Sequence, residues 1–252
     1  MELGKWFEAE SLLREAADKS PNDPDVRRHL AETLWQRGAH EEAIEHMLAA
    51  ERLCGCDAAT AVRAGEMLLS VGKAKQAAEL ADKGVQLDHS LAAAWALRGR
   101  AYAAAGEHER ALADYGQALR LAPSDTGVLL AAADLYSLRG QHERCLATLH
   151  RLIDSIPPGS EPTEALLLEG RTYLAMGRAG QAASSLKLAA DRGPGSAELS
   201  YLQAQCEWQL GRLGTAETLA RQAVAQDSGH APAQQMLLQL SQLPAEGTLP
   251  LR

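Results

Sequence analysis

A ladder of glycines at nearly constant spacing constrains this chain more than any other feature of its sequence. Successive members are 34 residues apart, except for one interval of 37 residues. These ladder glycines are Gly4, Gly38, Gly72, Gly106, Gly140, Gly177 and Gly211. A period of this length predicts an array of similar units, each of which stacks on its neighbours to complete a hydrophobic core.

Small residues keep the same phase as the ladder. Five residues after the ladder glycines stand Ala9, Ala43, Ala77, Ala111, Cys145, Ala182 and Ala216. Twelve residues after them stand Ala16, Ala50, Gly84, Ala118, Leu152, Ala189 and Ala223, and only Leu152 is bulky. Seven residues before the last six stand Ala31, Gly65, Gly99, Ala133, Gly170 and Ala204. Such residues are expected where two helices approach too closely for a larger side chain.

Glycine and proline mark the ends of helices within each unit. A ladder glycine allows one helix to end in a left-handed cap and the chain to reverse. Seventeen residues after four of the ladder glycines, proline recurs at Pro21, Pro123, Pro157 and Pro194. Proline can open a helix in its first turn but cannot continue the preceding one. Each unit is therefore predicted to contain a helix, a glycine turn, a second helix and a short loop.

This pattern resembles the tetratricopeptide repeat. The residues that carry the resemblance most fully are Trp95, Gly99, Tyr102, Gly106, Ala111, Tyr115, Ala118 and Pro123. The resemblance extends over almost the whole chain, because the same small, large and proline positions recur in phase. It implies an all-α fold, a right-handed α-solenoid or superhelix of stacked antiparallel helix pairs, with about fourteen helices. It also implies a role as a protein-binding scaffold or adaptor.

One register divides the chain into repeats. The predicted parts are a half repeat at 1–23 with only a second helix, repeats at 24–57, 58–91, 92–125, 126–159, 163–196 and 197–230, an insertion at 160–162, a capping helix at 231–243 and a tail or linker at 244–252. The half repeat lacks a first helix, so we expect either a longer parent array or a partner at this end. The insertion lies in SIPPGSEP, which we interpret as a loop extension.

Composition limits the classes of partner. The net charge of −8 and the pI of about 5.5 disfavour nucleic acid, which is bound by clustered Lys and Arg. No run approaches the roughly 20 apolar residues that span a bilayer, and MELGKWFEAE lacks the regions of a signal peptide. We therefore expect a soluble protein, cytoplasmic by default, without direct membrane insertion. No cofactor is implied.

Catalytic and metal chemistry is not predicted from the sequence. His40, His108 and His142 each follow a ladder glycine by two residues, but equivalent residues of adjacent repeats lie about 10 Å apart, too far to share one metal ion. Cys145 follows His142 by three residues, yet it occupies one of the small packing positions. Cys54 and Cys56 are placed in a loop between repeats. No phosphate-binding loop or hydrolase motif occurs, so the chain is not expected to be an enzyme.

The resemblance places a concave groove along the first helices of the repeats. The row six residues before the ladder glycines is mostly charged, and the row ten residues before is mostly apolar. The expected groove residues are Arg28, Glu32, Trp35, Glu66, Arg100, Leu130, Asp134, Leu167, Arg171, Tyr201, Gln205 and Trp208. We expect Arg100, Asp134 and Arg171 to orient a polar partner by charge. Such a groove suits an extended peptide or an amphipathic helix.

Several alternatives remain at this point. One is that the groove charges only pair across neighbouring repeats, and another is that the two groove tryptophans are buried between helices rather than exposed. A self-assembling module would form a dimer or filament, a possible homo-oligomer, through the open N-terminal end. A substrate-recognition arm of a larger enzyme is a further alternative, and RNA binding is disfavoured by the charge.

Overall fold

Helices are the only regular secondary structure in the part of the chain that the structure describes. The structure is a computed structural model that describes residues 2–55 and 57–242, with side chains from residue 6 onward. Within these residues the helices are α1 (Glu2–Lys19), α2 (Pro24–Gln36), α3 (His40–Cys54), α4 (Ala58–Ser70), α5 (Ala74–Leu87), α6 (Ala92–Ala104), α7 (His108–Leu121), α8 (Thr126–Leu138), α9 (His142–Asp154), α10 (Thr163–Ala175), α11 (Ala179–Arg192), α12 (Ala197–Gln209), α13 (Leu213–Gln226) and α14 (Ala231–Ser241). This all-α arrangement and the expected number of helices are confirmed over those residues.

The ladder glycines turn the chain as predicted, with one exception. The six that follow α2, α4, α6, α8, α10 and α12 have φ between 68° and 83°. This left-handed backbone favours glycine because a side chain there would be strained. Gly4 differs, because it lies within α1 and ends no helix.

Local signals fix where several helices begin. Asp57 precedes α4, and its carboxylate accepts hydrogen bonds from the backbone N–H groups of Ala59 and Thr60, both at 3.1 Å. Asp23 caps α2 in the same way, followed directly by Pro24 at the first helical position. These bonds satisfy backbone donors that the first helical turn leaves without partners.

The chain forms two compact units, residues 1–131 and 132–252. In the first unit α2 packs on α3, α4 on α5 and α6 on α7, while α1 packs on α2. In the second unit α10 packs on α11, α12 on α13, and α14 on α13. Each unit therefore contains helices that pack on their neighbours in the chain.

The small residues mark the closest approaches within each unit, as predicted. The six from Ala43 to Ala216 that follow a ladder glycine by five residues are all completely buried. A Cβ added to Gly99 would lie 2.6 Å from two ring carbons of Tyr115. Leu152, the bulky exception, is also fully buried. Backbone proximity thus explains why the sequence keeps these positions small.

A charged group is buried where α5, α6 and α7 meet. Arg98 on α6 donates from Nε and Nη2 to the two carboxylate oxygens of Asp114 on α7, at 2.7 and 2.9 Å. Its Nη1 donates to Asp82 on α5 at 2.6 Å. These hydrogen bonds raise the pKa of the Arg98 guanidinium, so the arginine stays charged. The junction holds three helices of the first unit in register.

An equivalent junction in the second unit has the opposite central charge. Glu169 on α10 is buried, and its Oε2 accepts a hydrogen bond from the Ser185 hydroxyl on α11 at 2.7 Å. Its Oε1 lies 3.0 Å from Nε2 of His150 on α9. Arg98 and Glu169 both stand eight residues before a ladder glycine, and their partners also occupy matching positions. The same place is therefore filled by a cation in one unit and by an acid in the other.

Candidate functional site

None of the twelve residues expected in the groove is buried. Arg100, Asp134 and Arg171 are exposed, and the other nine are partly exposed. Val62 and Ala96 belong to the same apolar row but are buried, so this row is only partly open to a partner. The structure thus places the expected residues on the surface of their helices, while the remaining sides of those helices form the cores.

Four charges of the first unit form a continuous chain of ion pairs. Arg63 donates from Nε and Nη2 to both carboxylate oxygens of Glu32, at 2.6 and 2.7 Å. Its Nη1 reaches Glu66 at 3.3 Å, and Glu66 in turn accepts from Nη2 of Arg100 at 3.0 Å. The hydrogen bond to Glu32 is the main cause that raises the pKa of Arg63. The alternative that groove charges pair across neighbouring repeats is confirmed for these residues.

Arg63 was missed by the sequence analysis. It stands nine residues before a ladder glycine, outside the rows assigned to the groove. The spacing from Glu66 could have indicated Arg63, because residues three positions apart are neighbours on one helix face. Arg63 neutralises Glu32 and shares Glu66, so Arg100 is the cation at the end of the chain.

A cavity of about 220 Å³ opens beside Arg100 in the first unit. Small residues form much of its wall, including Ala93, Ala96 and Gly127. Asp125 also lines it, and one oxygen of its carboxylate accepts from the backbone N–H of Val128 at 3.0 Å. Only Nη2 of Arg100 bonds to Glu66, so other N–H groups of this guanidinium are left for a ligand.

The charged positions of the second unit differ from those of the first. Asp134 and Arg171 are exposed, and neither has an ion-pair partner among the residues that the structure describes. Leu167, from the apolar row, packs partly against the core around Leu166 and Leu186. These two charges are therefore more accessible to a partner than Glu32 or Glu66.

A larger cavity, of about 370 Å³, lies between α12 and α14. Its walls combine aromatic, aliphatic and amide side chains. They are Tyr201, Gln205, Trp208, Gln209, Pro232, Gln235, Met236 and Gln239. The sequence predicted the first three, but it missed the α14 residues because that helix was interpreted only as a polar cap.

The two groove tryptophans have different surroundings although both are half-buried. The ring of Trp35 lies 4.4 Å from the ring of His40, centroid to centroid, and packs against the core around Leu30 and Leu34. Trp208 lies at the wall of the α12–α14 cavity and packs against the core around Ala204 and Met236. Each tryptophan is thus partly buried between helices and partly exposed at the surface.

The cysteines and histidines do not assemble into a reactive site within the described residues. Cys145 is buried, with Sγ 3.3 Å from the Thr172 hydroxyl, and burial raises the pKa of its thiol. No group of three or more potential ligands for a metal ion occurs in the described part. The placement of Cys54 in a loop was wrong, because it is the last residue of α3, and Cys56 lies outside the described residues.

No helix in the described part is long and apolar enough to cross a bilayer. The fold and surface define a class of protein, an array of helix pairs that presents one side of its first helices. Comparisons with known proteins identify the family within that class. Three tetratricopeptide repeat models match the chain, at residues 1–52, 92–125 and 167–231. The chain belongs to the tetratricopeptide repeat family.

Solved structures agree with this assignment at the level of fold. A tetratricopeptide repeat protein from Parabacteroides merdae is 16% identical, with a TM-score of 0.69 over 95% of this chain and 94% of the other. PilW, a type IV pilus biogenesis factor, is 17% identical, with a TM-score of 0.75 over 85% of this chain and 98% of its own. YrrB, described as having an unusual peptide-binding site, is 21% identical, with a TM-score of 0.63 over 75% and 96%.

A search among curated protein sequences gave no match. The fold is that of protein–protein interaction scaffolds, which bind proteins or peptides and are typically without catalytic activity.

Proposed function

We propose that this protein is an adaptor that binds a peptide or an element of a partner protein along the first helices of its repeats. The observation that carries the proposal is the contrast within those helices. The twelve expected groove residues remain at least partly open, while other residues of the same helices, such as Leu30 and Leu202, fill the cores. Open rows of mixed polar and apolar residues suit partner binding.

Charge gives the proposed groove its orientation. Arg100 donates a hydrogen bond to Glu66 at 3.0 Å, which already restricts its side chain. The side chain therefore loses less conformational entropy when it binds a ligand. Asp134 and Arg171 carry charges of opposite sign without ion-pair partners in the described part. Leu130, Leu167 and Tyr201 supply apolar contact. We propose the predicted repeat boundaries, 24–57 to 197–230, as the units that present these side chains.

A capture experiment tests this proposal. The triple variant Arg100→Glu, Asp134→Lys, Arg171→Glu should lose a partner that the unaltered chain retains from lysate of the source organism. A matched triple variant, Lys75→Glu, Glu79→Lys, Lys187→Glu, changes the net charge equally at exposed positions on second helices. Circular dichroism should show equal helicity for all three proteins. Retention of every partner by the groove variant would contradict the proposal.

Self-association is a second candidate, supported by α1. This helix exposes large apolar side chains, with Phe7 54% and Leu12 68% exposed. Arg37 covers one side of the Phe7 ring at 4.0 Å, whereas Leu12 belongs to no described core cluster. Sedimentation at rising concentration tests this candidate. Mass that rises with concentration in the unaltered chain but not in Leu12→Ser would support it, and a constant monomer would contradict it.

A further inference from the structure

The cavity between α12 and α14 lacks charge, unlike the cavity beside Arg100. Tyr201 is the only ionisable side chain in its lining, and it is neutral at pH 7 because burial raises its pKa. The two charged side chains of α12 have partners of their own. Glu207 pairs with Arg212 at 3.3 Å, and Glu198 lies 3.3 Å from Nε2 of His230. A ligand here is therefore expected to be neutral, since a charge would lose hydration without gaining a counterion.

The aromatic residues of the cavity have a regular spacing. Tyr201 and Trp208 stand seven residues apart on α12, which places them about 10.5 Å apart along the helix axis at about 1.5 Å per residue. A polyproline II helix repeats every three residues, about 9.3 Å. A segment in this conformation that runs along α12 would thus set residues i and i+3 against the two rings. Proline-rich segments in this conformation bind in grooves lined by aromatic side chains.

Hydrogen-bond donors stand on the opposite wall. Gln235 and Gln239 are four residues apart on α14, and their side-chain amides have no hydrogen bond within the described part. Gln205 and Gln209 differ, because their amides donate to the Tyr201 hydroxyl at 2.7 Å and to the Leu174 carbonyl at 3.1 Å. Polyproline II backbone carbonyls have no internal hydrogen bonds, so they can accept from free amides.

We propose that this cavity binds an uncharged, proline-containing peptide segment in the polyproline II conformation. The inference rests on the proposed adaptor function and names the chemistry of one part of its ligand. Tyr201 and Trp208 contact two prolines three residues apart, Met236 closes the base, and Gln235 and Gln239 donate to the peptide carbonyls. The segment is the apolar anchor of the partner, while Arg171 and Asp134 contact its polar part.

Tryptophan fluorescence with decaproline as the probe locates the binding site. Trp35 provides the matched control, because it also stands three residues before a ladder glycine but lies outside the α12–α14 cavity. Decaproline should change the emission of the unaltered chain and of Trp35→Phe saturably. The change should vanish in Trp208→Phe. A change that survives in Trp208→Phe would place the peptide elsewhere and overturn the proposal.

Calorimetry measures the affinity without depending on the fluorophore. The variant Gln235→Glu, Gln239→Glu removes both amide donors and adds carboxylates that repel peptide carbonyls, so decaproline should bind about tenfold or more weakly. Gln234→Glu, on the same helix but outside the cavity lining, should bind as the unaltered chain does. Equal affinity in the double variant, or no binding to the unaltered chain, would overturn the proposal.

A second probe separates polyproline recognition from general apolar binding. A neutral decapeptide of Gly, Leu and Ser should bind at least tenfold more weakly than decaproline, because it is not fixed in the polyproline II conformation. Equal binding would refute the proposed ligand class. If decaproline fails while Arg100→Glu, Asp134→Lys, Arg171→Glu still loses a captured partner, the polyproline site is wrong and the adaptor function stands. Failure of both experiments would refute both.

Discussion

Replacing Arg98 with alanine should destabilise the first unit by about 3 kcal/mol, the lower end of the cost of breaking a buried ion pair. The magnitude follows from the carboxylate of Asp114, which remains buried without its partner. The side chain of Asp114 is only 8% exposed, and Arg98→Ala removes both hydrogen bonds that balance its charge. The side chain of Asp82 is 45% exposed and recovers water when Arg98 is lost, so it adds little. Arg98 itself retains 18% exposure, which favours the lower end of the range.

Arg100→Ala is the matched control on the same helix. Arg100 is 44% exposed and makes one hydrogen bond to Glu66, so its loss should cost no more than about 1 kcal/mol. The paired replacement Arg98→Met, Asp114→Leu should recover most of the loss. It removes the buried charge together with its partner and fills the space with apolar atoms.

Urea unfolding followed by circular dichroism gives the comparison. Arrays of repeats can unfold in stages, so hydrogen exchange at the backbone amides of α6 and α7 should be measured alongside. The protection of these amides should fall about a hundredfold in Arg98→Ala, which corresponds to about 3 kcal/mol. Equal free energies of unfolding for Arg98→Ala and Arg100→Ala would refute the reasoning.

Other changes have equally definite expected outcomes. Gly99→Ala should lower the free energy of unfolding by about 1–3 kcal/mol, because its Cβ would meet the Tyr115 ring at 2.6 Å. Gly116→Ala, also within a helix but with nothing within 4 Å, should raise it by about 0.5–1 kcal/mol in the same urea assay. Hydrogen bonds from the Thr60 hydroxyl, then from backbone N–H groups, lower the pKa of Asp57 from 3.8. The resulting stabilisation is present above pH 3.8 and lost as the pH falls through the lowered value. Thermal unfolding between pH 6 and 2 should therefore show less acid sensitivity in Asp57→Ala, and equal sensitivity would contradict this. Burial raises the pKa of Cys206 to about 11, so iodoacetamide at pH 8 should alkylate it only after unfolding, as mass spectrometry of native and urea-treated protein can show.

The sequence predicts features that are local or strictly periodic. The turns at the ladder glycines and the small packing positions depend on backbone geometry within one unit, so their pattern is visible without coordinates. Gly4 shows the limit of that pattern. It keeps the spacing but lies inside α1 and ends no helix.

Side-chain pairing between helices is less predictable. Arg63 bonds to Glu32 across 31 residues, and that choice depends on how far two long side chains reach. Glu169 has no sequence signal for burial, since its partners His150 and Ser185 lie on two other helices. At the α12–α14 cavity, the sequence identified Tyr201 and Trp208 only by their distance from the ladder glycine. It missed Met236, because binding was assigned only to complete repeats.

The two buried polar junctions distinguish α6 and α10 by the neighbouring helices that each can accept. If α10 were to stack between α5 and α7 in place of α6, Glu169 would meet the carboxylates of Asp82 and Asp114. In the reverse exchange Arg98 would meet a histidine and a serine, with no acid to balance it. Like charges or lone charges in a buried place cost stability, so such mis-stacked forms are disfavoured. The repeats share one backbone pattern but differ in the charge at these buried positions. This difference favours a single order of helix packing along the chain.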